Sequence, residues 1–310
     1  MYLIDAKNHV IPFFLTLNSP PQIRKMEYQP AKTIDEVIQR LEEVIDCAIE
    51  TKSANGIFAA LYIVVTEKIR DGILKGDIFE DNPRMERFDV IFANRYLKAI
   101  WEHQNGLNSP HACKVAFIVA DRFPTKTILQ ELLVSMNAHI NLDLGIAAAE
   151  TSPGDAIDSL KNDFDSINTI LGSLVDEIKE DISKMSPRFG LIIRFMVAED
   201  AIMNFSIKVA RKKAWKFAKQ LAPRSGAAFE AIVNQKDLET AKLGRLVASP
   251  GWWANLINWW VKRAESQDLP AIIREMRGAA SARVRFPAEV RSNDELAEEK
   301  PTGDNGAATA

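Results

Sequence analysis

The chain is poor in cysteine, in histidine and in net charge, and it has no long uncharged apolar run. Its two cysteines, Cys47 and Cys113, each lie in an apolar helical stretch. They read as small buried side chains in a reducing compartment, not as a disulfide framework. Of the four histidines, His9, His103 and His111 show no ligand spacing with His139. That argues against a zinc or di-iron centre, so no metal is expected and the cofactor question stays open. The formal charge is −3, but residues 286–310 alone carry −4, which leaves the rest near +1. A nucleic-acid partner would call for a strongly basic domain, so none is expected.

Nowhere do about 18 uncharged apolar residues follow one another, the length that crosses a bilayer. The opening Met-Tyr-Leu-Ile-Asp-Ala-Lys is interrupted by charge before it forms a signal-peptide core. A cytoplasmic protein with no transmembrane segment is therefore expected. Gly-rich phosphate loops, serine nucleophile elbows and zinc-protease helices are missing. Strand-like alternation is scarce, and there is no repeat of fixed period. Asp163-Phe-Asp165 lacks the further acidic residues of the aspartate-rich motifs in helical terpene cyclases.

What is present is helical periodicity, in a chain 47% hydrophobic. Four prolines, Pro12, Pro20, Pro21 and Pro30, make residues 1–32 an extended arm. Thr33-Ile-Asp-Glu36 is a capping box that starts a helix running to about Ser53. A second helix is expected over Asn55–Asp71, closed by Gly72, and a third over Arg84–Gln104. Others fall at about 112–122, 126–149, 155–184, 188–221, 227–246, 252–265 and 270–283. The strongest pattern is 155–184, where Ile157, Leu160, Phe164, Ile167, Leu171, Leu174, Ile178 and Ile182 recur every three or four residues. The expected fold is all-α: a bundle of nine or ten helices in one domain over 33–285, followed by a disordered acidic tail over 286–310.

The most informative segment surrounds His139. A 100° step per residue places Ile128, Leu132, His139, Asp143, Ile146 and Glu150 on one narrow stripe. An imidazole and a carboxylate four positions apart thus share a face with core residues, while Gln130, Asn137 and Asn141 lie opposite. Three functions suit such a pair: a general base oriented by its carboxylate, two metal ligands, or a polar ligand site. A structural His–Asp pair that fixes helix packing is the competing reading. Asn168 falls inside the apolar stripe of the 155–184 helix, with Asp163 and Asp165 flanking it. On the third helix Asp89, Phe92, Ala93 and Tyr96 share a face, with Arg95 beside it, supplying a phenol and a guanidinium for an anionic or carbonyl group.

With these residues the chain resembles an uncharacterised helical family, a domain of unknown function whose members share a His-Ile-Asn-x-Asp-Leu motif. Here it is His139-Ile140-Asn141-Leu142-Asp143-Leu144. The resemblance also takes in Phe92-x-x-Arg95-Tyr96-Leu97, the Asp163–Asn168 segment and Ala214-Trp215-x-x-Ala218, over residues 33–245. It implies a helical fold and a pocket around His139, Asn141 and Asp143, and no activity. Ideal helical geometry turns Asn141 away from its neighbours. Either Asn141 serves packing, or the helix bulges there.

The functional expectation is an enzyme with His139 and Asp143 as catalytic residues. Arg95, Tyr96, Asn141, Asp163 and Asn168 would position a small hydrophobic or lipid-like molecule. The alternative is a non-catalytic ligand-binding, peripheral-membrane or protein-interaction domain. Two segments motivate it: the basic run Lys208, Arg211, Lys212, Lys213, Lys216 and Lys219, read mainly as a solvated face, and the paired Trp252, Trp253, Trp259 and Trp260, read mainly as core or helix interface. The sequence does not indicate an oligomeric state.

Overall fold

The computed structural model describes residues 28–122, 125–168, 170–171, 174, 186, 199–249 and 251–283, with 3–4 and 10–11 near the start. Leu3–Ile4 pairs antiparallel with Val10–Ile11 in a two-residue ribbon. Everything else regular among the described residues is helical, as the periodicity requires. The expected tail, 286–310, lies outside the described residues.

α1 (Ile34–Thr51) starts where Thr33 Oγ1 accepts from the Glu36 N–H at 3.2 Å, half of the expected capping box. The Glu36 carboxylate accepts from the Lys32 N–H instead of closing back on Thr33. α2 (Asn55–Lys75) runs one turn past the expected stop at Gly72 and ends on Gly76, whose φ of 78° is the left-handed conformation glycine tolerates best. Gly72 is inside the helix for a packing reason: a Cβ there would meet Ile78 Cδ1 at 3.0 Å. α2 is apolar on nearly every side and buried over Gly56–Val64. A helix of that composition belongs in the centre of a fold, and α1, α3 and α5 all pack on it.

α3 (Asn82–Gln104) is capped by Asp81, and Pro83 sits in its first turn. α4 (His111–Asp121) has no cap of its own. Asp237 supplies one from far along the chain, accepting from the His111 and Ala112 N–H groups at 2.7 Å each. α5 (Ile128–Ala138) opens on a complete Thr127/Gln130 capping box. It continues through a π-helical turn, His139–Asp143, into α6 (Leu144–Thr151). The combined helix Ile128–Thr151 is long and apolar enough to cross a membrane, and 78% of its most apolar stretch is buried inside the fold.

The expected helix at 155–184 begins differently. Gly154, with φ 61°, leads into a 3₁₀ turn over Gly154–Leu160, and α7 starts only at 161. Ile178 and Ile182 fall outside the described residues. α8 (Glu199–Leu221), α9 (Gly226–Ala248), α10 (Trp252–Lys262) and α11 (Leu269–Arg283) follow among the described residues.

One core joins α1, α2, α3, α4, α5, α6, α7, α8 and α11, with Phe88, Phe164, Leu41, Leu132 and Leu144 among its most enclosed side chains. A smaller cluster, Val115, Val119, Val134 and Ala241, seals α4 and α5 against α9. α10 packs inward through Val261, 4% exposed, while Trp252, Trp259 and Trp260 are 68%, 55% and 43% exposed, which corrects the core half of the expectation that this tryptophan stripe is core or helix interface.

Candidate functional site

His139 is the first residue of the π turn. The wider turn, in which the Leu144 N–H reaches back to the His139 carbonyl, resets the side-chain register between α5 and α6. Across it His139 Nδ1 lies 3.2 Å from Asp143 Oδ2. The other carboxylate oxygen, Oδ1, accepts from Arg95 Nε of α3 at 2.9 Å. A carboxylate ion-paired with arginine is an acceptor on both oxygens, so Nδ1 carries the imidazole proton and Nε2 carries the lone pair.

Four aromatic rings from α2 and α3 enclose the imidazole. Phe92 stacks on it with centroids 3.7 Å apart and planes 11° apart, and Tyr62 meets it edge-on at 4.6 Å. Phe58 and Tyr96 close in at 5.8 and 5.9 Å. Burial pushes the imidazole's pKa below its usual 6.5 and the Arg95 charge adds to this; the hydrogen bond and charge of Asp143 act the other way. The ring is thus neutral at physiological pH.

Nε2 is the notable atom. It is buried and has no hydrogen-bond partner among the described residues. Seven other buried side-chain atoms share that state, and two of them, Tyr62 Oη and Asp89 Oδ2, belong to residues that line one cavity of about 100 Å³ together with His139. The rest of its wall is mainly apolar, including Phe88, Leu144, Ile167 and Leu171, with Arg211 of α8 as its cation. Native folds pair nearly all buried polar groups, and three of the eight unpartnered ones among the described residues belong to the wall of this one void. Burial, reinforced by the Glu86 charge, raises the Asp89 carboxyl to about 7. Burial, with the charges of Asp89 and Asp143 behind it, holds the Tyr62 phenol well above its usual range.

On its far side Asp143 borders a larger, open and polar cleft of about 530 Å³, lined by Arg95, Glu102, His111, Glu150, Glu230 and Asp237 among others. The chain His139–Asp143–Arg95 is therefore a partition, with an apolar cavity at the imidazole and a polar cleft at the guanidinium. A narrow void of about 10 Å³ beside Cys113 and Ser135 touches the same pair. Upstream on α5, Ser135 donates to Glu131, a buried carboxyl that desolvation raises to about 8.

Of the residues singled out in the sequence, the structure brings together His139, Asp143, Arg95 and Tyr96. Asn141 points elsewhere: its Nδ2 donates to Asn137 Oδ1, and Asn137 donates to the Thr240 carbonyl of α9. The helix does bulge, yet Asn141 remains a packing residue. Asp163 is also remote from His139. Fully buried, it accepts from the Glu80 and Asp81 N–H groups and from Arg84 at 2.6 Å, tying α7 to the start of α3. Asn168 touches the cavity only through Arg211, whose Nε donates to its Oδ1. Among the described residues no three His, Cys, Asp or Glu side chains converge where a metal ion could sit.

The sequence reading left Phe58, Tyr62 and Arg211 out of the site. Tyr62 carried a faint signal, a single phenol in the middle of an apolar helix. Arg211 carried a misleading one: in the basic run it alone is buried, while Lys208, Lys212, Lys213, Lys216 and Lys219 are exposed. Residues 34–250 match a family of unknown function, DUF5995, and the chain belongs to it. No curated protein and no solved structure matches the chain.

Proposed function

We propose that this member of the family is an acid–base enzyme acting on a small, largely apolar molecule held in the cavity beside His139. The observation that carries the reading is the convergence of three unpartnered buried polar atoms, His139 Nε2, Tyr62 Oη and Asp89 Oδ2, on one apolar void. Nε2 is the base. Asp143 holds the imidazole in the tautomer that leaves this lone pair free and stabilises the imidazolium formed when it takes a proton. Arg95 holds Asp143 in place by donating from Nε to its Oδ1. Asp89, with a carboxyl raised to about 7, is suited to return a proton, and Tyr62 to donate to a substrate oxygen. A neutral imidazole and a carboxyl that titrates near neutral pH, both on the wall of one void, suit an acid–base pair.

The test is a turnover screen of short apolar esters, ketones and alcohols followed by mass spectrometry. His139→Gln and Asp143→Asn should lower turnover by roughly 10²–10⁴-fold, the usual share of general acid–base catalysis, with helical content unchanged. Full activity in His139→Gln would remove the proposal.

A second reading is supported by α10. Trp252, Leu256, Ile257, Trp259 and Trp260 are each at least 43% exposed, and the helix carries no acidic residue. Such a face suits the interfacial region of an anionic bilayer. Vesicle sedimentation with Trp259→Ala and Lys213→Gln separates the two readings. Vesicle binding that needs both side chains, with His139→Gln silent in every assay, would favour a peripheral binding protein over an enzyme.

A further inference from the structure

Arg211 is 4% exposed and lines the same cavity as His139. Its guanidinium lies over the Phe164 ring, 4.4 Å from the centroid, and donates to Asn168 Oδ1 and to the Phe164 carbonyl. Both acceptors are neutral, and Nη1 has no acceptor among the described residues. The other well-buried cations each have a carboxylate: Arg84 pairs with Asp163 at 2.6 Å, Arg95 with Asp143 at 2.9 Å, and Lys262 with Glu265 at 3.2 Å. Asp89 lines the same cavity but makes no ion pair with Arg211, and the acids adjacent in sequence to its acceptor Phe164 are committed elsewhere. Asp163 is spent on Arg84, and Asp165 is half exposed and pairs with Lys161.

Arginine stays protonated under such burial; desolvation brings it down only to about 10, with Asp165 opposing. A desolvated positive charge without a counter-anion costs stability, and a fold retains one where a ligand completes it. The placement of Asn168 agrees, since it holds the planar fork in one orientation and contributes no charge of its own.

We propose that the cavity's ligand is an amphipathic anion, a carboxylate or phosphate monoester on a short apolar chain, with Arg211 as the seat of its charge. The apolar wall of Leu144, Ile167 and Leu171 takes the chain. This deepens the preceding reading by naming the substrate class. It rests on the cavity being a ligand site and does not require proton transfer at His139.

Calorimetric titration of the full chain with octanoate, octyl phosphate and 1-octanol tests it. At least one anion should bind roughly tenfold or more tightly than octanol, and the tighter of the two identifies the head group. Arg211→Gln should erase that preference and leave octanol binding alone, while Lys212→Gln, at an exposed neighbour, should change neither. If Arg211→Gln does not fold, Arg211→Lys decides, because it keeps a charge but loses the planar fork. It must weaken the anions more than the alcohol, and equal effects on all three probes overturn the proposal. Octanol binding as tightly as both anions to the unmodified chain overturns the anion inference alone. No binding of any probe overturns the cavity reading with it. His139→Gln titrated alongside should keep the anion preference, whatever becomes of turnover.

Discussion

His139 Nδ1 and Asp143 Oδ2 face each other at 3.2 Å across a single π-helical turn. The pairing ties a local backbone irregularity to a tautomer. Because the carboxylate takes the Nδ1 proton in a hydrogen bond, the lone pair on Nε2 is directed away from Asp143 among the rings of Phe58, Tyr62, Phe92 and Tyr96.

That tautomer is directly measurable. Nitrogen-15 shifts of His139 should report a proton on Nδ1, a bare Nε2 and an ionisation below 6.5, the direction set by burial. Asp143→Asn removes the charge that favours imidazolium, so the ionisation should fall further. It also leaves Arg95 without its buried partner and should cost about 3 kcal/mol in denaturant unfolding. An imidazole titrating above 6.5 in the unmodified protein would contradict the whole arrangement.

Stability should depend on pH through groups shifted in opposite directions. For His139 the folded value lies below the unfolded one, so the unfolded chain takes up the proton first as pH falls. Its contribution is full above 6.5 and is lost as pH drops below that. Asp89 and Glu131 are raised, to about 7 and about 8, so the folded chain holds their protons longer and stability declines as pH rises towards those values. Asp89→Asn should therefore raise stability at pH 8.5, by on the order of 2 kcal/mol, by less at pH 5, and do little below the unfolded value of 3.8. Thermal melts across that range would show a flatter profile, and Glu131→Gln should act in the same direction.

Gly145 lies two residues past the π turn and lets α8 approach α6. A Cβ there would lie 2.5 Å from Phe217 Cδ1 and 2.9 Å from the Ala214 carbonyl. The phenyl ring has some freedom to move, but a backbone carbonyl in mid-helix has very little. Gly145→Ala should destabilise by about 1–3 kcal/mol although alanine is the better helix former. A neutral or stabilising result in chemical denaturation would show that the two helices are not held at this spacing.

Large apolar residues should differ sharply in what they contribute to stability. Phe164 is 1% exposed in the core, whereas Trp259 is 55% exposed on α10 and touches Arg263 through its ring. Phe164→Ala should cost about 3–5 kcal/mol and Trp259→Ala no more than about 1 kcal/mol. Paired urea titrations would test the contrast. A large loss at Trp259 would mean that α10 is covered.

The helix start at Thr33, the core stripe of α1 and the shared face of His139 and Asp143 were all legible in the chain, although of the expected capping box only the Thr33 half forms. The stop of α2 was misread, because Gly72 looks like a helix terminator until Ile78 and Phe79 are seen folding back on it. Asp163 was misplaced for a similar reason. Its spacing from Phe164 and Asn168 suggested a role facing His139, and only the contact between α7 and the start of α3 shows that it holds Arg84 and two backbone N–H groups.

Taken alone, the sequence determined the all-helical class and the imidazole–carboxylate pair, because both follow from side-chain period and spacing within one helix. Tertiary structure decided what that pair faces. The cavity wall comes from α2, α3, α7 and α8, segments far apart in the chain, and its three orphaned polar atoms and buried guanidinium become neighbours only once those helices pack. Burial then sets the chemistry, since whether a side chain keeps its ordinary charge depends on how much water and which partners the surrounding helices leave it.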